Sequence, residues 1–549
     1  MPSTRRSFLV GTGAAFVVAP MGLAACSAGT GGATSGTDTI VFGKTDGGTT
    51  FVRNYNVFGP AINKAPNYEM IYESLARIDY SDGAQVKPWL AKSLTFDTAG
   101  TTLTVVLRDD VKFSDGKPLT ADDVVFSLEI PLKDPTFNMA GTTYDAVTKV
   151  NSSTVTVHWP TPAFSELNQL ASIAAPIVPQ HLWAGQNLKS WTNPNPVGTG
   201  AYTLQRFAAQ QITLAARTDY WGGKSAVKYL KIVPTSADAL EEQLLRGEVD
   251  WALSAWPNAE QAYVGKNPKQ HMYQKYATGG AYSLFFNTAQ APFDDVHVRQ
   301  ALAMTIPRTD IVTALQRPGT EAGPTGLVDQ IYEKEILPQY RGKVQQVDGA
   351  GALRELAQSG YTVEGGKLVK DGKSYSPKLS FNEDFAWDPY ANMMIRSWQK
   401  LLGIQVTAAG APGANLYEQQ QTGAFDLTIS TTGGAGLAGV YSALSSAAYK
   451  PIGKQAATNF GRWKDAATDA AIDDLESSNN PTVVQDAADT LETIVAQQVP
   501  YSPIYESYWF VLINAMHWTG WPTPEKFSYV PFLGLGPDST LTLLNLKAA

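Results

Sequence analysis

One cysteine in 549 residues leaves this chain no internal disulfide, so its fold stands on packing alone. Histidine is nearly as scarce. His158, His181, His271, His297 and His517 are scattered, and no two have the spacing of a metal-ligand pair. No Gly-x-Ser-x-Gly elbow and no His-Glu-x-x-His occurs, so neither hydrolase chemistry has a candidate constellation. Positive charge is also short: 42 Lys and Arg stand against 50 Asp and Glu, for a net charge of −8. No basic run follows Arg5-Arg6, which argues against nucleic acid, whose phosphates need a concentrated cationic face. Beyond the first 25 residues no apolar stretch approaches the roughly 20 residues of a membrane span. No cofactor is expected. Gly434-Ala-Gly436-Leu-Ala-Gly439 matches Gly-x-Gly-x-x-Gly after a strand, but no full βαβ unit follows, so it reads as a flexible loop.

The first residues carry a different signal. Thr4-Arg5-Arg6-Ser7-Phe8-Leu9 is a twin-arginine pattern, and an apolar run broken by Gly11, Gly13 and Pro20 leads to Leu23-Ala24-Ala25-Cys26. A charged start, a short apolar stretch and small residues before a cut mark an export signal over 1–25. Leu-Ala-Ala-Cys resembles a bacterial lipobox, which implies a lipidated Cys26 and a membrane contact through that lipid alone. Residues 27–37 hold only Ser, Ala, Gly and Thr, the composition of a flexible tether, so 26–37 is taken as a leash and structure is expected to begin near Asp38. The 512 residues that follow (549 less 37) exceed one core and predict two or three domains.

What is plentiful is aromatic: 11% of the chain, with 13 Trp and 24 Tyr, enough for core and for a ligand-stacking surface. The element order reads as mixed α/β. Thr39–Gly43 and Leu103–Arg108 read as strands, Asn67–Leu75 as a helix, and Thr120 as a helix cap backed by Asp122 and Asp123. A helix from Ser236 stops at Gly247 before a strand from Val249 to Leu253. Later, Tyr390–Leu402 and Asn415–Gln421 read as helices, followed by strands Ile404–Val406 and Phe425–Ile429. Helices alternating with short strands predict α/β lobes.

Three segments then carry a family resemblance. The first runs Leu103-Thr-Val-Val-Leu-Arg-Asp-Asp-Val-Lys-Phe-Ser-Asp-Gly-Lys-Pro-Leu-Thr-Ala-Asp-Asp-Val-Val-Phe126. The second is Asn195-Pro-Val-Gly-Thr-Gly-Ala-Tyr202 with Arg217-Thr-Asp-Tyr-Trp-Gly222. The third is Ala281-Tyr-Ser-Leu-Phe-Phe-Asn-Thr288 with Pro292-Phe-Asp-Asp-Val-His-Val-Arg-Gln-Ala-Leu-Ala303. Their order and spacing resemble the extracellular solute-binding proteins of family 5, which serve ABC importers for oligopeptides, dipeptides, nickel complexes and some oligosaccharides. The resemblance implies an α/β, two-lobed periplasmic-binding-protein-like fold of type II, with the extra subdomain of the oligopeptide-binding type. Lobe I would comprise 38–70, 195–287 and 515–549, the extra subdomain 71–194, and lobe II 288–514. It further implies a monomer that encloses a small solute and delivers it to an ABC permease and its ATPase, with no catalysis. Taken singly, Ser114-Asp-Gly-Lys117 is a good turn and Gly198-Thr-Gly200 a tight bend.

The ligand is expected from one departure and several presences. Peptide binders of this family commonly hold the ligand's ammonium with an aspartate in a loop after a lobe II strand. Here Phe425–Ser430 is followed by Thr431-Thr-Gly-Gly-Ala-Gly-Leu-Ala-Gly-Val-Tyr-Ser442, which holds no acid. Asn459-Phe-Gly-Arg-Trp463 and the tryptophans Trp251 and Trp256 resemble the oligosaccharide branch. Trp251, Trp256, Trp387 and Trp463 would offer stacking faces, and Asn287, Asn382 and Asn459 neutral hydrogen bonds. Asn56, Tyr282, Gly433, Gly434 and Arg462 complete the candidate ligand site. An oligosaccharide is the favoured reading, a short peptide the alternative, and a secreted hydrolase the remaining one. For each tryptophan the competing reading is ordinary core packing.

Overall fold

The computed structural model describes residues 37–45, 50–59, 64–138, 141–171, 175–316, 319–384, 387–434 and 436–549. The segment expected to be an export signal, Cys26 and the expected tether up to residue 36 lie outside the described residues.

A ten-stranded sheet organises the chain. Its centre is a pair of long antiparallel strands, His271–Phe286 and Tyr501–Asn514, which both run through the two halves of the molecule. On one side, Trp251–Leu253 pairs with the end of the second crossing strand (Trp251 with Ile513), and Thr39–Lys44, Tyr229–Pro234, Gln211–Ala216 and Tyr202–Ala208 follow outward. On the other side, Leu427–Thr431 pairs with the end of the first crossing strand (Tyr282 with Thr431), followed by Lys378–Asn382 and Thr407–Ala411. The ladder between the crossing strands breaks between Ala277 and Ala281. Gly279 there has φ +88°, and a Cβ on Gly280 would sit 1.8 Å from the carbonyl oxygen of Thr432, so only glycine fits the second position.

Each half has its own core. Ile40, Phe42, Trp251, Leu230 and Ile513 pack in lobe I, and Leu284, Leu302, Trp398, Phe381 and Leu427 in lobe II. A separate four-stranded antiparallel sheet, Ala91–Phe96, Thr102–Leu107, Thr154–His158 and Ala146–Asn151, carries the helix Ala121–Lys133. The period-2 pattern is plain in Thr102–Leu107, where Leu103, Val105 and Leu107 are buried against Val124 and Val157. The helix starts where its cap predicts: the Asp123 carboxylate accepts from the backbone N–H and hydroxyl of Thr120 at 3.0 and 2.7 Å.

Three local expectations fail, each for a tertiary reason. The helix expected over Asn67–Leu75 shrinks to a 3₁₀ turn at Tyr68–Met70. The carbonyls of Ile71, Glu73 and Leu75 accept instead from the N–H groups of Gly200, Ile177 and Trp89 at 2.8–2.9 Å, so distant partners outcompete the local ladder. The strand expected at Ile404–Val406 forms one step later, at Thr407–Ala411. Ile404 N–H is taken by Trp398 O and Gln405 N–H by Gly366 O. The loop expected at Gly434–Gly439 contains a short helix, Gly436–Tyr441.

Candidate ligand-binding cleft

The crossing strands form the floor between the lobes, and one segment of lobe II spans that floor. Gln316 Oε1 and O accept from Asn258 Nδ2 and N at 3.1 and 2.6 Å, Thr320 Oγ1 accepts from Lys275 Nζ at 3.0 Å, and Gln330 Oε1 accepts from the Ala277 N–H at 2.8 Å. Glu506 sits at the break itself, 4% exposed. Its carboxylate accepts from the Tyr508 hydroxyl and from the backbone N–H of Asp329. Burial pushes this carboxyl up to about 7, against the pull of Tyr508; Asp329 adds to the rise and Lys275 opposes it. Above the floor the lobes touch again. Ala84 of the extra subdomain lies in one apolar cluster with Val328, Ile331 and Tyr332, and the turn Phe164–Leu170 packs on the helix Ala466–Ser477.

Aromatic rings line the crossing. Half-buried Tyr282 stacks on Tyr505 (centroids 4.7 Å, 23°), and Trp387 lies against both at 5.2 and 5.8 Å; Tyr505 and Trp387 are themselves buried in the lobe II core. On the lobe I side, half-buried Trp509 meets Tyr80 edge-on at 4.9 Å and Phe532 at 5.3 Å, and Lys275 Nζ lies 4.5 Å from the Tyr508 ring centroid. Tyr505, Glu506, Tyr508 and Trp509 were not singled out from the sequence. The signal was present in Tyr501-Ser-Pro-Ile-Tyr-Glu-Ser-Tyr-Trp-Phe510, an aromatic-rich strand with one internal acid.

Of the expected ligand residues, the structure brings Tyr282, Trp387, Gly433 and Gly434 to the crossing and disperses the others. A Cβ on Gly433 would lie 2.9 Å from the Gly280 Cα, and one on Gly434 would lie 2.8 Å from the Gly439 Cα, so both glycines serve close backbone contact. Asn382, at the end of its strand, is half-buried, and its Oδ1 accepts from the Asp384 N–H at 2.9 Å. Trp251 has no exposed surface: Phe42 and Trp521 flank it and its Nε1 donates to Pro531 O. Trp256 packs on Tyr263 in lobe I. Asn56 Nδ2 donates to Leu188 O and Trp191 O; Asn287 Nδ2 to Gly423 O and Phe425 O; Asn459 Nδ2 to Ser445 O and Trp463 O. These are buried amides satisfying loop carbonyls. Arg462, 2% exposed, donates to four carbonyls, while Trp463 donates to Thr468 Oγ1 and faces Arg299.

The first two sequence segments are tied together by structure. The guanidinium of Arg217 donates to the carbonyls of Lys112 and Phe113 in the first and of Gly198, Thr199 and Gly200 in the second. Buried Glu73 accepts from Trp89, Tyr220 and Trp221 beside that knot. A Cβ on Gly198 or Gly200 would come within 2.0 or 2.3 Å of the carbonyls of Ile71 and Met70. Asp115-Gly116 is the turn its residues suggest, with Gly116 at φ +88°. Among the described residues no cluster of three or more His, Cys, Asp or Glu could hold a metal, and no helix is long and apolar enough to cross a membrane.

Comparison with known proteins agrees with this geometry. Protein XP55 of Streptomyces lividans is 29% identical over 504 residues, 87% of this chain and 86% of that protein. The nickel-binding periplasmic protein of Escherichia coli is 28% identical over 385 residues, 67% of this chain and 70% of that protein. A periplasmic oligopeptide-binding protein of an ABC transporter from Thermotoga maritima superposes with a TM-score of 0.79 at 23% identity, over 93% of this chain and 99% of that one. The architecture is therefore the α/β periplasmic-binding-protein fold of the oligopeptide type. A family model described as bacterial extracellular solute-binding proteins, family 5 Middle, matches residues 85–451, and the chain belongs to that family of ABC-importer substrate-binding proteins.

Proposed function

We propose that the chain captures an oligosaccharide between its two lobes at the outer face of the cell membrane and presents it to its permease. The observation that carries the ligand class is the aromatic floor. Half-buried Tyr282 and Trp509 present ring surface at the crossing, Tyr282 backed by the buried rings of Tyr505 and Trp387, beside a loop, 431–442, without a carboxylate. Rings of this kind stack on the C–H faces of sugars, whereas a buried ammonium needs an anion and costs several kcal/mol without one. Among proteins of this fold, the T. maritima neighbour is also known with mannohexaose bound, at a TM-score of 0.73, which supports the reading. Oligopeptide-binding relatives, such as AppA of Bacillus subtilis at 25% identity, favour a short peptide as the second reading.

A thermal-shift panel of α- and β-linked oligosaccharides against di- to pentapeptides decides between them. A ligand at a hundredfold excess over Kd stabilises by about 2.7 kcal/mol, enough for a melting shift of a few degrees. Hits are expected among the sugars; a panel in which only peptides shift the melt overturns the sugar reading. The lipid anchor at Cys26 is tested separately: Cys26→Ala is expected to leave the membrane fraction while keeping its ligand response, and unchanged retention refutes the anchor.

A further inference from the structure

The contact between the turn Phe164–Leu170 and the helix Ala466–Ser477 joins the extra subdomain to lobe II, so it exists only while the lobes are together. It is acidic on both sides. Glu166 comes from the turn, and Glu476 and Asp473 from the helix. Neither element contains a Lys or Arg, and neither do Gly436–Tyr441, Ser442–Leu444 or Pro481–Gln498, which pack on the helix; the last adds Asp486, Asp489 and Glu492. The strand Ala76–Asp79, which packs on the turn, brings Arg77, but its guanidinium is taken by Asp79 at 2.8 Å and Asp538 at 3.4 Å. Among the described residues no salt bridge reaches Glu166 or Glu476. Glu166 accepts from Gln169 of its own turn, and Ser165 Oγ and Asn168 Oδ1 are buried there without a partner.

We propose that lobe closure is proton-linked: the acidic contact between the turn Phe164–Leu170 and the helix Ala466–Ser477 forms with uptake of a proton, so acid favours the closed form and alkali the open one. Two ionised carboxylates brought together with no cation repel, and opening returns both to water. Burial raises the carboxyl of Glu166 above its ordinary range, against the hydrogen bond from Gln169. Burial also raises Glu476, and the charges of Glu166 and Asp473 add to it. Both shifts belong to the closed state, so the stabilisation they give is present at low pH and is lost as pH rises through the raised values. Glu506 in the floor has the same sign. Of the groups facing it, Tyr508, Lys275 and the backbone N–H of Asp329 favour its ionised form and the charge of Asp329 its neutral one.

The inference rests on the two-lobed capture reading and is tested on ligand-free protein, so the ligand class does not enter. Small-angle scattering at about pH 8 and about pH 5.5 is expected to show the closed-to-open ratio rising at least about fivefold on acidification. The double substitution Glu166→Gln with Glu476→Gln is expected to close the protein at both pH values and to remove most of the response. Asp122→Asn, at an exposed ion pair with Lys149, is expected to leave the response intact. Identical wild-type curves at the two pH values overturn the proposal, as does a full pH response in the double variant.

Discussion

At the scale of single residues, burial decides which tryptophan is structure and which is surface. Trp251 is enclosed by Phe42 and Trp521, so Trp251→Ala is expected to destabilise lobe I by about 3–5 kcal/mol, read by denaturant unfolding. Trp509 keeps part of its ring exposed beside the crossing. Trp509→Ala is expected to weaken the best sugar hit by about 1 kcal/mol, about fivefold in Kd, by calorimetry. Full affinity in the Trp509 variant would remove that ring from the ligand site. The sequence could not separate these cases, because solvent access is a property of the fold. The same holds for Asn56, Asn287 and Asn459, whose amides were legible as hydrogen-bonding groups but not as ones consumed by loop carbonyls.

At the scale of elements, the crossing strands are where local sequence and global shape meet. At Gly279-Gly280 the first strand breaks its ladder with Tyr501–Asn514, resumes it at Ala281, and from Tyr282 on also takes Leu427–Thr431 on its other edge. Gly280→Ala would drive a Cβ into the Thr432 carbonyl, and backbone cannot yield as a side-chain tip can. A loss of about 1–3 kcal/mol is expected in thermal or denaturant unfolding, and a variant as stable as the parent would mean that the loop at Thr432 relaxes without strain. Helices with a cap and a stop were legible because their signals are local. Ser236 caps Ala237–Leu245, and Gly403 and Gly423 end their helices in the left-handed region. The segment at Asn67–Leu75 was not, because its carbonyls are claimed by residues up to 129 positions away (Gly200 to Ile71).

At the scale of the molecule, buried carboxyls set how stability follows pH. Asp538, between Val530 N–H and Arg77, is pushed up to about 7 mainly by burial, and Glu492, accepting from Leu337 N–H, also to about 7 by burial. A folded value above the unfolded one of about 4 means that the folded state holds more protons, so this stability is full below about pH 4 and fades as pH rises towards 7. The melting temperature is therefore expected to fall between about pH 5.5 and pH 8, and Asp538→Asn to flatten part of that fall. A melt independent of pH over this range would place neither carboxyl in the titration.

The sequence by itself determined the family and the alternation of helices and strands, because turn, cap and periodicity signals act over a few residues. The acid-free loop after Ser430 was equally legible. Only the tertiary structure decided which aromatics face the crossing, because that depends on two strands 230 positions apart in first residue, His271 and Tyr501, lying side by side. It also decided that the turn Phe164–Leu170, with Glu166, packs on the helix Ala466–Ser477, with Glu476. No local rule couples two elements about 300 positions apart.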